Sequence, residues 1–139
     1  MSDEYYILIS CVDSRLAHHL DVYARKLGLS ERYFPLVLPG SILSASNIQT
    51  PDWSKTFFQQ FELITQIANI TSTVLINHYD CAVLKKMYGR MSHEEETELL
   101  AKHLTYVKGL IKERYPNIAV RTVIMDLDGN VENVFTKKV

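Results

Sequence analysis

The chain has 139 residues and a formal net charge of -1, with 15 basic against 16 acidic residues; 47% of residues are hydrophobic and 22% charged. These proportions are those of a globular protein and exclude a disordered, collagen-like or coiled-coil chain. The charge balance gives no electrostatic footprint for nucleic acid or an anionic membrane surface. At roughly 150 residues per domain, the length fits one domain over residues 1–139. No apolar run approaches the roughly 18 residues that a membrane span needs. The acidic start, Met1-Ser2-Asp3-Glu4, differs from a secretory signal, which begins basic and turns apolar, so the cytoplasm is the expected compartment. Two cysteines in a reducing compartment call for a reason other than a structural disulfide.

Along the chain, short apolar runs alternate with helical stripes. Tyr5 to Cys11 reads as a strand buried on both faces. Leu16, Leu20, Tyr23 and Leu27 follow at helical spacing, with Gly28 where a C-terminal cap belongs. Tyr33 to Leu38 is a second strand, which Pro35 confines to a start, an edge or a bulge. Pro39 to Thr50 is rich in Ser, Asn, Gly and Pro and reads as a loop. Pro51 and Asp52 open a helix with Trp53, Phe57, Phe61, Ile64 and Ala68 on one face. Thr73 to Asn77 is a third buried strand, followed by a short helix through Cys81 to Tyr88 that Gly89 ends. Ser92 and Glu95 form a capping-box pair for a long helix carrying Leu100, Leu104, Val107 and Ile111, and Pro116 stops it. Ile118 to Met125 is a fourth strand. Asp128-Gly129-Asn130 is hairpin chemistry leading into Val131 to Phe135. The expected fold is α/β: a mainly parallel sheet of four strands plus a C-terminal hairpin strand, with helices on both faces. Ligands in such sheets bind outside the carboxyl ends of the strands, where strand order reverses.

Two of these carboxyl ends carry unusual chemistry. The first strand runs out into Cys11-Val12-Asp13-Ser14-Arg15, the third into His78-Tyr79-Asp80-Cys81. Two thiolates and an imidazole are a donor set that zinc favours, and three protein ligands leave the fourth position open, as in catalytic sites. The bland alternative is that each cysteine is a small buried apolar residue and His78 a hydrogen-bonded core residue. Tyr79 and Asp80 lie between two of the candidate ligands, where they line a pocket, relay a proton or simply make the turn. His18 and His19 are surface residues of the first helix or proton shuttles, and His103 reads as packing.

Cys11-x-Asp13-Ser14-Arg15 and His78-x-x-Cys81, in this order and on these strands, resemble the two motifs of the β-class carbonic anhydrases. Met125 to Val131 resembles that family's last strand and hairpin, so the resemblance spans nearly the whole chain. It implies a first strand placed centrally, with the second and third on either side. It implies Cys11, His78 and Cys81 as zinc ligands, Asp13 and Arg15 as the catalytic dyad, and a homodimer acting on a small-molecule substrate. The implied activity is hydration of carbon dioxide to bicarbonate by zinc-bound hydroxide, or hydrolysis of a related molecule such as carbonyl sulfide or carbon disulfide. Two thiolates cancel the formal charge of the metal and make it a weaker acid than one held by neutral imidazoles, so the partners around it matter more. Arg15 would hold Asp13 in a bidentate pair and keep it ionised. In a competing inactive state of the family, Asp13 itself takes the fourth zinc position.

The match departs at the second strand. An Arg-Asn-Ala-Gly-Asn-like stretch of the family is Leu38-Pro39-Gly40-Ser41 here, so Gly40 and Ser41, with Tyr79, stand as candidate pocket residues on an altered wall. Ala82 follows Cys81 and Asn77 precedes His78 where the family has glycine. Only four residues precede the first strand, so the family's helical arm around a partner subunit is not expected. These departures motivate a second reading, a non-catalytic zinc protein of the same fold acting as a sensor or interaction module. A third, a nucleotide- or phosphate-binding domain, has no glycine-rich phosphate loop to support it.

Overall fold

The computed structural model describes residues 4–46 and 51–134. In chain order its elements are β1 (Tyr5–Cys11), α1 (Ala17–Lys26), β2 (Tyr33–Leu38), α2 (Pro51–Ile67), β3 (Ile70–His78), α3 (Ala82–Tyr88), α4 (His93–Arg114), β4 (Ala119–Met125) and β5 (Val131–Asn133). Within the segment read as a loop, Ser41–Ser44 form a single turn of 3-10 helix; residues 47–50 of that segment, and Phe135 of the expected last strand, lie outside the described residues. Among the described residues no helix is long and apolar enough to cross a membrane.

One sheet of order β2-β1-β3-β4-β5 organises the chain. β1 pairs in parallel with both β2 and β3, β3 pairs in parallel with β4, and only the hairpin pair β4–β5 is antiparallel. The expected central place of the first strand is thus observed. From β1 the chain steps one way to β2, then crosses back over β1 to β3 and on to β4. Right-handed crossovers in opposite directions put α1 on one face and α2 and α4 on the other. Strand order reverses between β1 and β3, the place where open sheets of this kind bind their ligands.

The local chemistry explains the elements. β1 and β3 are central and buried on both faces, so Ile7, Ile9, Leu75 and Ile76 sit at 0–1% exposure as near-continuous apolar runs. Thr73 lies in the same buried stretch and donates its hydroxyl to the Ile7 carbonyl at 2.8 Å, which satisfies it and ties β3 to β1. Pro35 is accommodated because β2 is an edge strand, where a missing N–H leaves no ladder bond broken. Both halves of the Ser92–Glu95 capping box form, and Leu100, Leu104, Val107 and Ile111 are all fully buried on α4. The expected face of α2 needs correction. Ser54, Phe57, Phe58 and Phe61 are the buried stripe, with Phe57 and Phe61 stacked at 6.0 Å, whereas Trp53 is 48% exposed. The stripe begins one residue later than Trp53, at the spacing 54, 57, 58, 61.

His103 is buried by α4 and is more than packing. Its Nδ1 meets the Ser46 hydroxyl at 2.8 Å and its Nε2 the Tyr88 hydroxyl at 2.6 Å. Hydroxyls donate or accept as required, so a neutral ring is satisfied at both nitrogens. Burial first, and the Lys102 charge second, lower its pKa from 6.5 to about 4. An unfolded chain therefore takes up a proton at His103 below about pH 6.5 that the folded chain refuses until about pH 4. The stability this supplies is complete above the upper value and is lost as pH falls through the window, by about 3 kcal/mol. Urea unfolding at pH 7 and pH 4.5 should show this loss in the wild type, and His103→Gln should show a correspondingly smaller one.

Candidate metal centre

Three side chains converge where the strand order reverses. Cys11 ends β1, His78 ends β3, and Cys81 is the N-cap of α3 in extended conformation (φ -82°, ψ 121°). Parallel pairing of β1 and β3 aligns the two carboxyl ends, and the tight turn through Tyr79 and Asp80 brings Cys81 back beneath them. The two sulfurs and a His78 nitrogen all lie within 4.8 Å of one another, and all three residues are buried.

The donor atoms are arranged for a cation. His78 Nδ1 meets the Tyr79 carbonyl at 2.7 Å, so in the neutral ring it donates there and leaves the lone pair on Nε2. That Nε2 has no hydrogen-bond partner although the side chain is fully buried. A buried ring nitrogen without a partner is costly, and this one faces two sulfurs. Cys11 receives peptide N–H bonds from Asp13 and Gly40, and Cys81 receives them from Val83 and Leu84 at the start of α3. In the pair, the Cys81 thiol donates to the Cys11 sulfur. This bond, against the opposing effect of burial and helped by His78, lowers the Cys11 pKa; the same bond and burial push the Cys81 thiol up. Burial works against charge on His78, but the Cys11 sulfur and the Tyr79 carbonyl outweigh it and raise its pKa. Two sulfurs, a nitrogen fixed by a carbonyl and peptide donors behind each sulfur fit a tetrahedral soft ion such as zinc.

Asp13 and Arg15 flank this cluster. Arg15 donates to Asp13 three times, from its backbone N (3.0 Å) and Nε (3.0 Å) to Oδ1, and from Nη2 to Oδ2 (2.7 Å). This pairing holds the Asp13 carboxyl well below the usual carboxylate range. Asp13 Oδ2 stands 4.0 Å from His78 Nε2, at the mouth of the cluster. Arg15 reaches further, with Nη1 to Asp80 Oδ2 at 2.9 Å and Nη2 to the Asp80 carbonyl at 3.2 Å.

The remaining candidates are placed differently. Ser41 is fully buried, and its hydroxyl donates to the Ile76 carbonyl at 2.6 Å. Gly40 sits at φ +78°, with its carbonyl accepting from Asn77 Nδ2 at 3.2 Å. Asn77 Oδ1 in turn accepts from the Ile42 N–H at 3.3 Å. Asn77 and Ser41 thereby clamp this loop onto β3. The Tyr79 hydroxyl meets Thr97 Oγ1 at 3.0 Å and donates to Glu132 Oε1 at 3.2 Å, so its polar end is engaged by α4 and β5. Asp80, read from the sequence as a pocket, relay or turn residue, joins this network together with Glu96, which sequence reasoning missed. The Asp80 N–H donates to Glu96 Oε2 at 2.7 Å, and no periodic signal marks Glu96 as anything but a charge in the first turn of α4.

Solved structures of β-carbonic anhydrases share this fold. CafD of Aspergillus fumigatus superposes with a TM-score of 0.63 at 12% identity, covering 95% of this chain and 90% of that one. One of two tetrameric enzymes of Sordaria macrospora gives 0.54 at 16% identity, covering 100% and 84%. The class is therefore an α/β protein of the β-carbonic anhydrase fold with a buried Cys-His-Cys cluster at its strand ends. No family model matches the chain. It belongs to one family with two rickettsial proteins, each named as an uncharacterised protein. That of Rickettsia bellii (strain RML369-C) is 34% identical over 134 residues, covering 94% of this chain and 82% of the relative. That of Rickettsia conorii (strain ATCC VR-613 / Malish 7) is 34% identical over 132 residues, covering 93% and 71%.

The loop makes a direct prediction. A Cβ on Gly40 would lie 2.9 Å from Val83 Cγ1 and 3.2 Å from Leu43 Cβ, in a left-handed backbone conformation. Gly40→Ala should destabilise the fold by about 2 kcal/mol. Because Val83 opens the helix that Cys81 caps, the same variant should bind zinc more weakly. Urea unfolding and a competition titration against a zinc chelator measure the two effects.

Proposed function

We propose that Cys11, His78 and Cys81 hold a zinc ion, and that the protein hydrates carbon dioxide to bicarbonate or hydrolyses a related small molecule such as carbonyl sulfide or carbon disulfide. The observation that carries this reading is the unpartnered, fully buried His78 Nε2 facing two sulfurs, with an ionised carboxylate 4.0 Å away. Bound zinc supplies a hydroxide nucleophile near neutral pH. Asp13, being ionised, can only accept a hydrogen bond. With zinc in place it would take one from the metal-held nucleophile and orient that oxygen toward the substrate carbon. Arg15 fixes the plane of the carboxylate through two side-chain bonds and keeps it ionised. A closed state of the kind the resemblance implies, with Asp13 as fourth ligand, would require Asp13 to loosen its bonds to Arg15. The expected assembly is a homodimer in the cytoplasm; among the described residues β2 leaves one edge of the sheet unpaired, and oligomers occur in this fold, as in the tetrameric Sordaria enzymes.

The alternative, a zinc protein that senses or docks without catalysis, draws on the altered loop, where Ser41 turns its hydroxyl inward to Ile76. Stopped-flow assays of zinc-loaded protein on the three substrates separate the two. A rate above background on one of them is expected, and background rates on all three would leave the alternative. Cys11→Ser should lose stoichiometric zinc by metal analysis. Asp13→Asn should keep the zinc and lose at least about a hundredfold in rate. Zinc affinity should fall in acid, because thiol and imidazole must give up protons to bind it.

A further inference from the structure

Arg15 carries more donors than Asp13 engages, and the surplus has a defined destination. Its Nη1 and a second Nη2 bond go to the Asp80 carboxylate and carbonyl, 65 residues along the chain. Asp80 lies in the turn between His78 and Cys81, so this one guanidinium joins the rim of β1 to the rim of β3 directly across the metal donor set.

Asp80 is itself held for the task. It adopts φ +60°, a left-handed conformation uncommon outside glycine that Asp and Asn adopt more readily than other residues. Its N–H is fixed by Glu96 Oε2 at 2.7 Å, and Glu96 is only 9% exposed. Lys85 Nζ donates to Asp80 Oδ1, leaving Oδ2 for Arg15. The left-handed turn presents the carbonyl and carboxylate of one residue to the same guanidinium. Arg15, by contrast, has a side chain 48% exposed, and an exposed arginine paired with a single nearby carboxylate is weakly held. Carboxylates on two sides fix its plane. The restraint matters because Asp13 Oδ2 already stands 4.0 Å from His78 Nε2, so a small swing brings it onto an ion bound there.

We propose that Asp80, braced by Glu96, is a positioning residue that locks Arg15 onto Asp13 and so keeps the Asp13 carboxylate off the fourth position of the metal. The inference rests on the metal reading above and assigns the choice between open and closed states to a residue outside the dyad.

The test uses the full chain loaded with cobalt(II), whose visible spectrum reports coordination, and thiocyanate as the probe for an open fourth position. Asp80→Asn removes the charge but keeps a residue that tolerates the left-handed region. In the presence of Asp13 it should weaken thiocyanate binding about tenfold. In an Asp13→Asn background, which cannot close, it should leave thiocyanate affinity unchanged. Glu96→Gln should act in the same direction. Equal weakening in both backgrounds would assign Asp80 a merely structural role and overturn the proposal, as would no weakening in either. Failure of the wild type to take up one cobalt ion would overturn the metal reading instead, and metal analysis before the titration tells the two failures apart.

Discussion

Parallel pairing of β1 with β3 is the constraint on which the rest depends. These strands are distant in sequence, and only their pairing brings the end of one, Cys11, beside the end of the other, His78. The pairing is secured by buried apolar side chains on both faces and by the Thr73 hydroxyl on the Ile7 carbonyl. A register slip between parallel central strands would move every side chain to the opposite face. Apolar burial in the middle of the sheet therefore fixes the geometry of polar atoms at its rim.

At that rim the protein accepts local costs that the core offsets. A ring nitrogen lies buried without a partner. Two sulfurs lie buried close to it, and Ser41 and Asp80 occupy left-handed backbone. Such costs persist where surrounding structure leaves no alternative, and they cluster at sites that act on ligands. The loop after β2 is clamped by Asn77 and Ser41, and the turn after β3 by Glu96 and Arg15, so both rims are braced from outside the donor set.

The elements were legible in the sequence because each carried its own punctuation. Gly28 stands in left-handed conformation after α1, Ser92 and Glu95 cap α4, and Pro35 marks β2 as an edge. Cys11, His78 and Cys81 could be singled out because rare residue types stood at strand ends. What escaped depends on contacts between distant segments. Nothing near Glu96 announces that its carboxylate turns inward to a peptide N–H of the β3–α3 turn. Nothing around His103 foretells that Ser46 and Tyr88 complete its bonds. Trp53 matched a helical stripe by spacing but faced outward, since Phe57, Phe58 and Phe61 already fill that side of the core.

In the segment that departs most from the β-carbonic anhydrase pattern, much of the role falls to atoms that every residue carries. Gly40 serves the cluster with main-chain atoms, offering its N–H to the Cys11 sulfur and its carbonyl to Asn77. Peptide groups are the same in every amino acid. What this segment must supply is therefore the path of its backbone and the glycine that permits it, anchored by the Ser41 hydroxyl on the Ile76 carbonyl.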